Sequence, residues 1–315
     1  MSTLPRVVVL GGSGFVGSHL AAALSASERR VFVVTRRRAR ARHLLLLPTV
    51  EVLEADPYDA AFLTNLFRGA DAVVNLVGIL NERAPRITFE RAHVELARTV
   101  VAACRNAHVT RLLHMSAINA DRSGPSRYLK TKGEAEEIVT GSGLAWTIFR
   151  PSVIFGREDA FLNLFARLMR SLPVIALAAP NARFAPIYVE DVVRCFVRAL
   201  DDDATIGKRF DLCGPNAYTL KRLVEYVGMI TGLRRPIVPL GPALSKVSAN
   251  LLEHLPGRLM SRDNLASMQK DAVCNGAFPP AFNFAPAPLE TIAPLYLSPA
   301  AMHSKYDRMR SRSGR

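Results

Sequence analysis

Three groups of residues in this chain have types and spacing suited to chemistry. The first is Gly11-Gly12-Ser13-Gly14-Phe15-Val16-Gly17, in which Gly11, Gly14 and Gly17 form GxxGxxG. A turn of this kind, set between a β-branched strand and a helix, presents backbone N–H groups and the positive helix end to an anion. Gly11 permits the tight turn, Gly14 lets the backbone approach a pyrophosphate, and Gly17 lets the helix lie close to the strand. The second group is Tyr128-Leu-Lys-Thr-Lys132. Its four-residue spacing places both side chains on one helix face. There a lysine can grip a ribose and lower the phenol's pKa, readying the tyrosine for general acid/base work. Alone, this pair also fits a packed tyrosine beside a solvated lysine.

The third group is the run Val33-Val34-Thr35-Arg36-Arg37-Arg38. An NAD(H) site usually ends its second strand in an acid that accepts from the adenosine ribose hydroxyls. Here Arg36 and Arg37 stand instead, suited to a 2′-phosphate through charge-assisted bonds. The expected cofactor is therefore NADP(H), with NAD(H) as the alternative. Asp56 ends a third strand, placed to accept from the adenine amino group. Asn75-Leu76-Val77-Gly78 ends a fourth, whose backbone would line the ribose. His93 and His114 lie in apolar periodic segments and read as core or helix-face histidines.

The elements that must position these groups alternate. Strand patterns at Arg6–Leu10, Val31–Val34, Val50–Leu53, Ala72–Val77, Arg111–Met115 and Trp146–Phe149 are separated by helical patterns at Phe15–Ala26, Tyr58–Phe67, Phe89–Asn106 and Tyr128–Val139. Parallel neighbours need crossovers, so the pattern predicts an α/β fold, a Rossmann-type doubly wound parallel sheet. Residues 1–150 form the expected dinucleotide-binding domain. Residues 151–300 supply the remaining sheet elements, interleaved with a smaller, mostly helical lobe. In that lobe Leu172–Pro180 reads as a Pro-bounded apolar loop, Phe278–Pro288 as a surface wrap, and Ser261 as the N-cap of a helix. Residues 301–315 read as a basic, disordered tail.

Composition bounds the partners. The chain has 315 residues, is 49% hydrophobic and carries a formal net charge of +14. The excess falls on Arg36–Arg42 and on the C-terminal tail, which favours anionic partners. No recognition motif supports nucleic acid. No apolar run approaches the ~18 residues of a membrane span, and no secretory signal opens the chain. The expected location is cytoplasmic, or peripheral on a cytoplasmic membrane face. Four widely spaced cysteines, none in a metal-ligand pattern, read as free thiols in a reducing compartment.

Taken together, GGSGFVG, Asp56, NLVG at 75–78, YLKTK at 128–132, Arg150-Pro-Ser-Val-Ile-Phe-Gly156 and Val189-Glu-Asp-Val-Val193 resemble the extended and atypical short-chain dehydrogenase/reductases. Phe89-Glu-Arg-Ala-His-Val-Glu95, Ser126-Arg-Tyr-Leu-Lys130 and Ile154-Phe-Gly-Arg-Glu-Asp159 are most similar to one branch, the nucleotide-binding accessory subunits of respiratory complex I and their bacterial relatives. That resemblance covers about residues 5–215 and fades beyond. It implies bound NADP(H) near Gly11, Gly14, Phe15, Arg36, Asp56, Val77, Tyr128, Lys132 and Pro151. It also implies respiratory complex subunits or an anionic membrane surface as partners. It does not imply turnover. Active members complete the Tyr–Lys pair with a Ser or Thr, and alignment puts Ala117 at that position. Ser116 lies one residue earlier and points to the other side, unless the register shifts by one. The sequence thus leaves open a nucleotide-holding protein, an active reductase, epimerase or dehydratase using Tyr128, Lys132 and Ser116, and a nucleotide-sensing regulator.

Overall fold

A computed structural model describes residues 4–83, 85, 87–254 and 260–298. The expected tail, 301–315, lies outside the described residues. The first half runs β1 (Arg6–Leu10), α1 (Phe15–Ala26), β2 (Arg30–Thr35), β3 (Val50–Glu54), α2 (Ala60–Phe67), β4 (Ala72–Asn75), α3 (Leu96–Asn106), β5 (Arg111–Met115), α4 (Arg127–Thr140) and β6 (Ala145–Pro151). There follow β7 (Ile154–Phe155), α5 (Leu162–Ser171), β8 (Ile175–Leu177), β9 (Arg183–Phe184), β10 (Ile187–Tyr188), α6 (Val189–Asp201) and β11 (Lys208–Leu212). The chain continues through β12 (Tyr218–Thr219), α7 (Leu220–Thr231), β13 (Ile237–Pro239), α8 (Pro242–His254), α9 (Arg262–Ser267), α10 (Leu289–Ile292) and α11 (Pro294–Leu297).

These elements divide into two compact units. The first comprises residues 1–151, 189–212 and 279–284. Its seven strands pair in parallel in the order β11-β6-β5-β4-β1-β2-β3. The fold is the Rossmann-type α/β sheet that the strand–helix alternation predicts. Strand order reverses at β1 and β4, the place where such sheets hold ligands at their carboxyl ends. The strands are buried on both faces, so Val7-Val8-Val9-Leu10 is a continuous apolar run. On the α2–α3–α4 side the core includes Leu10, Phe32, Phe67, Leu96, Val100 and Ile148.

The second unit comprises 152–188, 213–278 and 285–315. It packs α5 and α7 with short strand pairs around Phe155, Phe165, Leu177, Phe184, Leu223 and Val227. Ser261 caps α9 as expected: its side chain accepts from Asn264 N, and the Asn264 side chain accepts from Ser261 N.

Three expectations need correction. Leu172–Pro180 is not simply a loop, because Ile175–Leu177 pairs in parallel with Ile237–Pro239. Phe278–Pro288 does not merely wrap the surface. Phe282 is fully buried, its ring 4.9 Å from that of Phe210 and 6.0 Å from that of Phe149. The cysteines are not all free. Cys104 and Cys195 are buried thiols, but Cys213 and Cys274 form a disulfide with Cα atoms 5.9 Å apart. Gly214 N donates to Ala185 O and Ala185 N to Ala272 O, so both cysteine segments flank residue 185. Cys213 and Cys274 are 61 residues apart in sequence, and that spacing carried no signal of the pairing. Phe282→Ala is expected to cost about 3–5 kcal/mol, since neighbours on two strands cannot collapse into the space. Chemical denaturation followed by far-UV circular dichroism measures it, and a loss under about 1 kcal/mol contradicts a core role.

Candidate functional site

The glycine loop joins β1 to α1 at the carboxyl edge of the sheet. Gly11 has φ +79°, a left-handed conformation that favours glycine. A Cβ on Gly11 would lie 3.1 Å from the carbonyl carbon of Leu76 and from Val77 N, so the β1 turn and the β4 turn nearly touch. Gly14 N donates to Gly11 O at 3.0 Å and opens α1 in extended conformation. No side chain caps this helix and no acid lies in its first turn. The N–H groups of Phe15 and Val16 thus face an end that a phosphate would complete. Ser13 Oγ lies 3.2 Å from Thr35 Oγ1, tying the loop to the end of β2.

Beyond Thr35, Arg36 and Arg37 are exposed. Ala55 N donates to Thr35 O, continuing the β2–β3 pairing up to Arg36, and the charges of Arg36 and Asp56 both reach Tyr58. Asp56 is exposed, and its Oδ1 accepts from Tyr58 N at 3.2 Å. The Arg91 guanidinium sits 4.5 Å above the Tyr58 ring. Burial raises the Tyr58 phenol's pKa, and the positive charges of Arg91 and Arg36 oppose the rise. Periodicity gave no hint of Arg91. It lies in a π-helical stretch, Glu90–Glu95, that precedes α3 where the sequence suggests one regular helix.

Deeper in the site lies a buried polar cluster. Asn75 Oδ1 accepts from Val77 N, fixing the β4 turn, and Asn75 Nδ2 donates to His114 Nδ1 at 3.3 Å. The Thr131 hydroxyl donates to Arg127 O, so His93 Nδ1 donates to Thr131 Oγ1 at 2.8 Å. His93 Nε2 accepts from Ile79 N. Both rings are therefore held neutral. Burial lowers the pKa of His93 to about 2 and of His114 to about 3, with the Lys132 charge adding to each. Lys132 is itself buried and donates from Nζ to Met115 O at 3.0 Å. Burial lowers its pKa to about 8, against the opposing pull of Glu136. Glu136 is buried between Arg150, with which it pairs closely, and Arg209 at 3.0 Å.

Tyr128 is half-buried, its ring 5.6 Å from His93 and 5.9 Å from Phe89. Thus Tyr128, Lys132 and the β5 end meet beside the Val77–Gly78 turn, where a Cβ on Gly78 would come 3.1 Å from Lys132 Nζ. Ser116 is buried, and its Oγ has no hydrogen-bond partner among the described residues. Ser116 N and Ile118 N donate to Phe149 O and Pro151 O, continuing the ladder past β5. Alternation along that ladder sets Ser116 on the His114 side and Ala117 on the other.

Comparison with known proteins points to a nicotinamide dinucleotide as ligand. Residues 11–160 match a family model described as NAD(P)H-binding. The chain is 33% identical over 237 residues to the mitochondrial NADH dehydrogenase [ubiquinone] 1 alpha subcomplex subunit 9 of Mus musculus, covering 73% of this chain and 62% of that one. It is 28% identical over 269 residues to the mitochondrial NADH-ubiquinone oxidoreductase 40 kDa subunit of Neurospora crassa, covering 84% and 71%. The chain thus spans somewhat under two thirds of the mouse relative's length. Among solved structures it is similar to an NADPH-dependent quinone oxidoreductase from Escherichia coli in complex with NADPH. The TM-score is 0.74 at 18% identity, over 92% of this chain and 99% of that one.

Proposed function

We propose that this chain, whose residues 11–160 match an NAD(P)H-binding family, holds NADP(H) as a fixed part of its Rossmann unit and does not turn it over. The observation that carries this reading is an intact nucleotide cradle beside an incomplete catalytic set. The uncapped start of α1, the Gly11–Val77 approach and Arg36 fit the pyrophosphate and the adenosine end. Tyr128 and Lys132 are retained, but Ala117 offers no hydroxyl.

The residues proposed to hold the cofactor are Gly11, Ser13, Gly14, Phe15, Val16, Gly17, Arg36, Arg37, Asp56, Leu76, Val77, Tyr128, Lys132 and Pro151. Bound there, the nicotinamide would offer hydride chemistry. In a holding role Lys132 and Tyr128 grip its ribose, and the bound nucleotide stabilises the fold by mass action. The subunit-9 relatives motivate the partner: acidic subunits of a respiratory complex or an anionic membrane face, met by the chain's basic surface. No helix among the described residues is long and apolar enough to cross a membrane. We place the chain in the cytoplasm or on a cytoplasmic membrane face.

A second reading rests on the retained Tyr128 and Lys132. On that reading the chain is an active reductase, epimerase or dehydratase acting on a small carbonyl or sugar-nucleotide substrate, with Ser116 completing the set.

One experiment separates the two readings. Freshly purified protein is denatured and the released nucleotide identified, and native protein is chased with labelled NADPH. Stoichiometric NADPH that fails to exchange over hours supports holding; a mixture of oxidised and reduced cofactor exchanging in seconds overturns it. Cofactor choice has its own test. Replacing Arg36 and Arg37 by Ala is expected to weaken NADPH binding at least about tenfold while changing NADH binding far less, as loss of charge-assisted phosphate bonds requires. Equal losses for both nucleotides by titration calorimetry would rule out a 2′-phosphate site there.

A further inference from the structure

The second unit contains a helix that faces the wrong way for a water-soluble surface. In α8 Ser245 and Ala249 are buried, and Ser245 Oγ donates to Leu240 O at 3.2 Å. Two large aliphatic residues of the same helix point outward: Leu244 is 61% exposed and Val247 64% exposed. An ordinary surface helix does the reverse.

The strand pair that leads into α8 exposes aliphatic residues as well. Leu240 N donates to Leu177 O, so the chain leaves β13 directly beside β8 and enters α8 two residues later. On that pair Ile175 and Leu177 point inward, while Val174, Ala176 and Val238 are exposed. Leu172, just before the pair, is exposed as well. Exposed cations surround these residues: Arg170, Arg234, Arg235 and Lys246. No acid stands in 170–178 or 234–250.

We propose that this face, α8 with the β8–β13 pair, seats the protein on an anionic lipid bilayer. Aliphatic side chains enter the headgroup boundary, and the surrounding arginines and lysine meet lipid phosphates. These segments expose no aromatic side chain, the residue type on which protein interfaces most often centre. Leucine and valine accompanied by basic side chains match what a peripheral helix presents to anionic lipid, and the acid on α8, Glu253, is paired with Arg262. The proposal sharpens the partner half of the reading above and is independent of the nucleotide.

Flotation of the full chain with vesicles tests it. One set is phosphatidylcholine alone and the other contains about 30 mol% phosphatidylglycerol, enough to give a negative surface potential. Wild type is expected to float with the anionic set and to be released by salt. Leu244→Glu with Val247→Glu is expected to reduce the bound fraction at least about tenfold, since both apolar burial and charge attraction are lost. Leu46→Glu, at an exposed leucine in the first unit, serves as control and should float like wild type. The proposal is overturned if wild type does not float, if it floats equally on neutral vesicles, or if the double variant floats like wild type. Loss of a co-purifying protein by the double variant, with flotation unchanged, assigns the face to a protein partner instead. Nucleotide content measured on the same samples keeps the two readings apart: wild type that floats but releases no nucleotide defeats only the holding role.

Discussion

Gly14→Val is expected to yield a folded protein stripped of its nucleotide. The residue sits at the N-cap of α1 with φ −84° and ψ −179°, extended backbone that valine adopts readily. A Cβ built there meets only Gly11 O, at 3.2 Å, so the fold has little reason to fail. The added branches instead occupy space that a pyrophosphate needs in front of the first-turn N–H groups. Gly17→Val provides the contrast. Its Cβ would fall 2.5 Å from the Gly12 Cα, inside the closed face between helix and loop. That variant should lose the turn itself and with it the fold. Nucleotide released on denaturation is expected to fall below about a tenth of wild type for Gly14→Val, and added NADPH should no longer raise the melting temperature. For the native site at a ligand excess of about 100 Kd, that lost stabilisation is about 2.7 kcal/mol. Wild-type retention by Gly14→Val would sink the assignment of this loop to the pyrophosphate.

The second large effect is acid lability. His93 and His114 ionise near 6.5 in the unfolded chain but only near about 2 and about 3 when folded. Below pH 6.5 the unfolded chain therefore binds protons that the folded one refuses, and stability falls as pH falls. The loss begins at about pH 6.5 and continues towards pH 3. At 1.36 kcal/mol per unit, each histidine removes about 2 kcal/mol between pH 6.5 and 5, so the pair removes about 4. Denaturant titrations at several pH values, on protein freed of nucleotide, measure the slope. His114→Gln and His93→Gln should each flatten it by about half, whatever they do to stability at pH 7. A wild-type stability that stays level from pH 7 to 5 would show that these rings take up protons in the folded state.

Much of this was legible in the sequence because it is local. The apolar runs of β1, β2, β4 and β5, with helical spacing between them, dictate a parallel sheet, since parallel strands need crossovers. GxxGxxG between a strand and a helix fixes where an anion can sit, because positive φ and close backbone approach are properties of glycine itself. Tyr128 and Lys132 share a face simply because four residues make a helical turn.

Pairings between distant segments were settled only by the tertiary structure. Nothing near His93 in sequence shows that Thr131 will accept from its ring or that Ile79 N–H will donate to it. Lys132 looks solvated on its helix, yet α4 lies against β5 and buries it at Met115 O. Phe282 follows a proline-rich stretch that reads as surface, until Phe149 and Phe210 close around it. Cys213 and Cys274 read as separate thiols until Ala185 brings their backbones together. The outward set of Leu244 and Val247 is decided the same way, by Ser245 and Ala249 taking the inner face. Periodicity determines which residues share a face. Which face turns inward depends on the free energy of the neighbours it meets, and those neighbours are distant in the chain.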